Sequence, residues 1–254
     1  MLTTLRRHPI PIKAFFRHSL VLTYAFPEAI LRPLLPPGLT LDSYEGSGFV
    51  AIALVQTESL RPVGIPAGLG CNFFLSGYRI FSRFRRHDGK VLRGLRILRS
   101  DADSHLMVWA GNLLTHYNYS KCVVETRRSL ETMAIRITTP NAEADLSVLA
   151  FVGEEASQPP CGSPFPNLQI ARHYAGPLPF TFDYEPESRQ MVIIEGVRQN
   201  WNPKPVRVEV KRCTYFEKPP FSSVPLRLAN AFFIENIPYC WKRGVVAPLR
   251  KEGV

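Results

Sequence analysis

Short runs of apolar and β-branched residues, broken by proline and glycine, dominate the chain. Residues 19–26 and 48–57 read as buried strands. Residues 71–86 and 90–98 read as one long hairpin about a His87-Asp88-Gly89 turn. Within it, Tyr78 to Arg85 alternates apolar and basic positions. Residues 119–127, 132–138 and 146–152 follow as successive antiparallel strands, with Asn141 in a turn. Further strands are predicted over 191–195 and 206–216. Helical signals are fewer. Residues 27–35 form a short helix stopped by Pro36-Pro37-Gly38. Residues 101–114 place Leu106, Trp109 and Leu113 along one face, with Asp101 or Asp103 as N-cap. Residues 224–237 suit a late amphipathic helix. Residues 153–166, rich in Glu, Pro, Gly and Ser, read as a long loop. Many strands at short spacing without a βαβ rhythm predict a mainly β (α+β) protein. Its antiparallel sheet closes into a barrel with a few short helices, as a single domain over residues 1–254.

Composition narrows this picture. Of 254 residues, 23 are proline, which excludes a bundle of long helices. No apolar run reaches about 18 residues, and the opening segment lacks the apolar core of a secretory signal. No membrane span and a cytoplasmic location are therefore expected. Five scattered cysteines, with no C-x-x-C pair, argue against a disulfide framework and against structural zinc. Neither a metal nor a cofactor is expected.

The net charge of +10 concentrates around the hairpin, at Arg79, Arg83, Arg85, Arg86, Lys90, Arg93, Arg96 and Arg99. No nucleic-acid motif accompanies these residues, so nucleic acid is not an expected partner. They read instead as a solvated strand face, or as charges that meet acidic groups of another subunit.

Residues 108–124 hold the candidate chemistry. Lys121 is the only lysine between Lys90 and Lys204, and it sits among aromatics, Cys122 and β-branched residues. Desolvation there favours the neutral, nucleophilic amine. The plainer alternative is a strand-end lysine whose stem lies on apolar surface. Cys122 reads as a buried, inert thiol. His116 has no nucleophile at a recognised spacing, and Glu45, Glu125 and Glu195 are the carboxylates available to a cavity. The aromatic segment 232–241 suits core packing, a cavity cap or a subunit contact.

Residues 26–42 (FPEAILRPLLPPGLTLD), then Tyr44-Glu45-Gly46, residues 61–66 (RPVGIP), the 73–81 strand with Arg79, the 108–124 segment, Ala171-Arg172 and residues 176–179 (GPLP) carry a resemblance. The chain resembles a large uncharacterised bacterial branch, a domain of unknown function, of the acetoacetate decarboxylase-like superfamily. The resemblance implies a cone-shaped, mostly antiparallel β-barrel, often assembled into homo-oligomers. In the decarboxylases of that superfamily, a buried lysine forms a Schiff base with a β-keto acid. Here Gly111 matches the glycine of the decarboxylase motif Gly-Arg-Glu, while Asn112 and Leu113 replace its Arg and Glu. Asn118 takes the position of the following proline, and Tyr119 and Ser120 take those of two lysines. Lys121 comes two residues after the expected nucleophile. Leu75 and Ser76 stand where relatives carry an acidic residue. True acetoacetate decarboxylation is not expected.

Three functions follow. The first is a lyase-like enzyme acting on a small keto or carboxylic acid. Lys121 and Tyr119 are its catalytic candidates, and Arg79, Asn118 and Ser76 line its substrate site; an arginine fork suits a carboxylate. The second is a non-catalytic binding protein whose barrel holds an apolar or aromatic acid without turning it over. The third is an interaction protein using the basic hairpin. No membrane partner is expected.

Overall fold

The computed structural model describes residues 5–249. Its strands are β1 (Ile12–Pro27), β2 (Leu39–Leu41), β3 (Ser47–Pro62), β4 (Cys71–Arg85), β5 (Val91–Ala102), β6 (Tyr119–Lys121), β7 (Val123–Arg128) and β8 (Thr132–Thr138). They continue with β9 (Leu146–Phe151), β10 (Phe180–Glu185), β11 (Gln190–Arg198), β12 (Lys204–Pro205), β13 (Arg207–Cys213), β14 (Arg227–Trp241) and β15 (Val245–Pro248). No helix among the described residues is long and apolar enough to cross a membrane.

Seven strands close a ring in the order β14, β1, β3, β4, β5, β10, β11. The last seam pairs Gly196 with Trp241 and Arg198 with Tyr239. Closure leaves the ring no edge, as the many-strand pattern requires. The pairing is antiparallel except at two places. β5 runs parallel to β10, with Leu95 opposite Thr181, and parallel to the short β6, with Ser100 opposite Tyr119. A second sheet of β13, β9, β8 and β7 lies against the ring.

The ring strands have apolar residues on both faces because each face covers a core. One core, with Leu22, Ile52, Phe74, Tyr78 and Ile80, fills the space between the ring and the second sheet, which contributes Met133, Ile135 and Val148. The opposite core holds Phe16, Phe49, Val55, Leu75 and Phe81. Along β4 the two sets alternate, even numbers to the first core and odd numbers to the second.

Two-sided burial also explains one corrected element. Residues 224–237 do not form a helix; they enter β14, a strand of 15 residues. Ala231 and Phe233 pack on the first core, and Phe232 and Ile234 on the second. A strand buried on both faces gives a continuous apolar run, which imitates a helical stripe.

The helix read over 101–114 begins later, at His105, and ends at Leu114. Its N-cap is Ser104, whose side chain accepts from Met107 N at 3.3 Å. Asp101 is spent on β5, and the Asp103 carboxylate accepts from Phe74 N at 2.7 Å. The strand read over 119–127 is cut at Cys122 into β6, beside the ring, and β7, in the second sheet.

Candidate functional site

A cavity of about 120 Å³ opens within the second core, lined by Ile12, Phe16, Val55, Leu75, Ile97 and Ile194 among others. The helix His105–Leu114 walls it with Met107, Ala110, Gly111 and Leu114. Its polar groups are few. They come from Arg79, Tyr117, Tyr119, Tyr239, Thr181, Ser100, Thr115 and His8. Among the described residues that line it there is no Asp, Glu or Lys.

Arg79 enters from β4 on the face shared by Leu75 and Phe81. Its Nε is buried and has no hydrogen-bond partner among the described residues. Burial lowers the guanidinium pKa, and the phenols of Tyr119, Tyr239 and Tyr117 act on it in the opposite direction. An arginine starts so high that it stays charged.

The three phenols stay protonated at neutral pH. Burial pushes Tyr119 up to about 12 and raises Tyr117 and Tyr239 as well. Each can donate a hydrogen bond, and the Tyr117 hydroxyl already shares one with Thr181 Oγ1 at 2.6 Å.

Glycines make room for this constellation. A Cβ on Gly77 would stand 3.0 Å from Arg79 Nη2, one on Gly111 would strike the Tyr119 ring, and one on Gly196 would strike the Tyr239 hydroxyl. Asn112 then clamps β6 to the helix, because its side chain donates to Tyr119 O at 2.9 Å and accepts from Tyr119 N at 2.7 Å. Tyr239 is held by stacking on Phe16, with ring centroids 4.6 Å apart.

The sequence-derived candidates separate in the structure. Arg79 and Tyr119 meet on the cavity wall. Lys121 does not line it. Its ammonium donates to Asp103 O at 2.6 Å and to Cys122 O at 3.0 Å, so the amine is drawn back to the chain at the helix entrance. Ser76 occupies an even position on β4; it is buried on the face opposite Arg79, across from Asp101. Asn118 is exposed just before β6, with φ of 51°. Tyr117, Tyr239, Thr181 and His8 were not among the candidates. A glycine inside a strand pattern, as at Gly77 and Gly196, was the available signal of close approach.

The basic hairpin is largely neutralised within its own chain. Arg83 and Arg93 share the buried Asp42 carboxylate, Arg96 pairs with Asp183, Arg99 with Asp101 and Glu143, and Arg86 with Asp88. The five cysteines are free, and burial pushes the Cys122 thiol up to about 12, which leaves it unreactive. His116 lies 4.0 Å from Glu185, away from the cavity lining.

Comparison with known proteins agrees with this architecture. The family model DUF2071, described as an uncharacterized conserved protein, matches residues 13–236. No curated protein matches the sequence. Among solved structures, acetoacetate decarboxylase from Legionella pneumophila superposes with a TM-score of 0.63 at 12% identity, covering 94% of this chain and 88% of that one. The enduracididine biosynthesis enzyme MppR, complexed with the condensation product of pyruvate and imidazole 4-carboxaldehyde, gives 0.63 at 15% identity, with 94% and 89% covered. An acetoacetate decarboxylase-like enzyme from Sphingomonas wittichii RW1 gives 0.61 at 12%, with 97% and 94% covered. The fold is that of the acetoacetate decarboxylase-like proteins.

Proposed function

The chain belongs to the DUF2071 family of uncharacterized conserved proteins, and we propose that its cavity holds a small organic acid whose carboxylate pairs with Arg79. One observation carries this reading. Among the described residues, a guanidinium with an unpartnered, buried Nε faces an apolar cavity whose lining offers it no carboxylate. An unpaired charge against apolar walls is costly, and a bound anion relieves that cost. The acetoacetate decarboxylase and the MppR complex named above share the fold, which supports a small acid as the ligand.

With the amine of Lys121 held by two carbonyl oxygens, Schiff-base chemistry finds no lysine among the described residues of the cavity wall. Binding without a covalent intermediate is the reading this geometry supports. Borohydride treatment in the presence of pyruvate or acetoacetate is expected to leave every lysine unmodified. Carboxylates are expected to raise the melting temperature of the protein but not that of Arg79→Gln. A trapped adduct on Lys121, or an equal response from Arg79→Gln, overturns the proposal.

A second reading, proton transfer on the bound acid, rests on His8. Burial lowers its pKa, so a neutral imidazole lines the same cavity as the three protonated phenols. A neutral imidazole accepts a proton, and a phenol donates one to a developing enolate oxygen. Solvent deuterium appearing at the carbon next to the carbonyl of 4-methyl-2-oxopentanoate supports that reading; no exchange above the protein-free rate removes it.

A further inference from the structure

The polar groups of the cavity are placed on one kind of ligand end and leave the other end nothing but hydrocarbon. We propose that the cavity selects monocarboxylic acids with an uncharged, apolar body, and rejects α-amino acids and dicarboxylic acids. This rests on the pairing of the ligand carboxylate with Arg79 and goes beyond it to the rest of the molecule.

The charges on the wall decide the selection. Arg79 is the only lysine or arginine among the described lining residues, and no carboxylate accompanies it. An α-amino acid brings an ammonium beside its carboxylate, and here that ammonium finds a guanidinium in place of an acceptor. The carboxylates of the neighbouring strands are committed elsewhere. Asp101 is held by Arg99, Asp183 by Arg96, and Glu195 by Lys242. A second carboxylate on the ligand would be desolvated against Ile12, Val55, Leu75 and Ile97 without a counter-ion. His8 is a poor counter-ion there, because burial disfavours its charged form.

The walls set the body. They are aliphatic and aromatic, and the volume of about 120 Å³ suits one ring or one branched chain; an apolar cavity of about 150 Å³ holds benzene. Around the head group, the phenols of Tyr119 and Tyr239 and the Tyr117–Thr181 hydroxyl pair provide donors. A carboxylate has acceptor capacity for several donors beyond one bidentate arginine.

Calorimetry on the full chain tests this with phenylacetate and 4-methylpentanoate against leucine, succinate and acetate. The two apolar monocarboxylates are expected to bind at least about tenfold more tightly than the other three. Arg79→Gln is expected to abolish that preference. Arg79→Lys, which keeps the charge, is expected to retain part of it, and both variants are checked for an intact unfolding transition first. If leucine, succinate or acetate binds as tightly as phenylacetate, and does so through Arg79, the selection proposed here is wrong while the Arg79 pairing stands. If no carboxylate depends on Arg79, the pairing itself is wrong and the selection falls with it.

Discussion

Where β4 passes the cavity, its two faces treat charge in opposite ways. On the side packed against the second sheet, each buried charge near the strand has its counter-charge. Asp101, fully buried, is held by Arg99 at 2.8 Å, and Arg99 reaches Glu143 at 2.7 Å. On the cavity side, Arg79 has its Nε unpartnered and faces phenols. Four residues further along β4, Arg83 closes on the buried Asp42. One strand therefore carries a guanidinium that is part of the scaffold and another that has no counter-charge among the described residues. A charge paired within the chain serves folding. A charge kept unpaired in an apolar cavity weakens the unliganded fold, and that cost finds its use in a ligand.

Breaking the packed side has the largest effect. Arg99→Met leaves the Asp101 carboxylate buried without its partner, which costs about 3–5 kcal/mol of stability, read from urea denaturation. A loss under 1 kcal/mol would place Asp101 outside the scaffold and blur the contrast between the faces.

Acid attacks the packed side next. His18 is buried between Phe74 and Phe233, its Nε2 has no partner, and burial lowers its pKa to about 4. Arg128 and Arg17 lower it further, while Glu235 and Glu58 raise it. The neutral imidazole is the folded form. Its contribution is therefore complete above the unfolded value of about 6.5. It is lost as pH falls toward about 4, because the unfolded chain takes the proton first. The loss is about 3 kcal/mol across that window. His18→Phe is expected to flatten this part of the stability–pH curve, and an unchanged curve would assign the acid sensitivity to other groups.

On the cavity side the sign reverses. Arg79→Met replaces an unpaired, half-buried charge with an apolar side chain of similar length. The unliganded protein is expected to gain about 1–2 kcal/mol, since exchanging buried charge for hydrocarbon is often stabilising. It is also expected to lose its response to carboxylates. Equal destabilisation by Arg99→Met and Arg79→Met would abolish the distinction between the two faces.

The fold was legible to the extent that each element served one core. The hairpin, the strands over 132–138 and 146–152 and the short helix after Pro27 lie where alternation and turn residues put them. β14 misled because it feeds two cores, and its continuous apolar run carries no period of two. Cys122 gave no warning that the chain changes sheets there.

Of the candidate site, Arg79 and Tyr119 reach the cavity wall. Lys121 stands out by its neighbours in sequence, but its side chain answers to Asp103 O, a carbonyl eighteen residues away. That capture depends on the turn into the helix His105–Leu114, which no local pattern encodes. Tyr239 and Thr181 come to the cavity through β14 and the parallel seam with β5, pairings between distant segments that composition and spacing do not display.

The smallest expected effect is also the sharpest test of how the cavity side is built. Gly77 sits inside β4 at ordinary extended backbone, so alanine is conformationally acceptable there and removes the entropic cost of glycine, worth about 0.5–1 kcal/mol. The new Cβ would stand 3.0 Å from Nη2 and 3.1 Å from Nε of Arg79, too close for the guanidinium to keep its seat. The end of an arginine is flexible, so it gives way by a few tenths of an ångström, at a cost similar to the entropic gain. Gly77→Ala is therefore expected to change stability by less than about 0.5 kcal/mol, the two terms offsetting each other. A bidentate pairing is less forgiving, and phenylacetate is expected to bind about tenfold more weakly, or ~1.4 kcal/mol. Unaltered binding in a variant of unaltered stability would show that Gly77 does not set the guanidinium, and that the seat of Arg79 is fixed by the phenols around it.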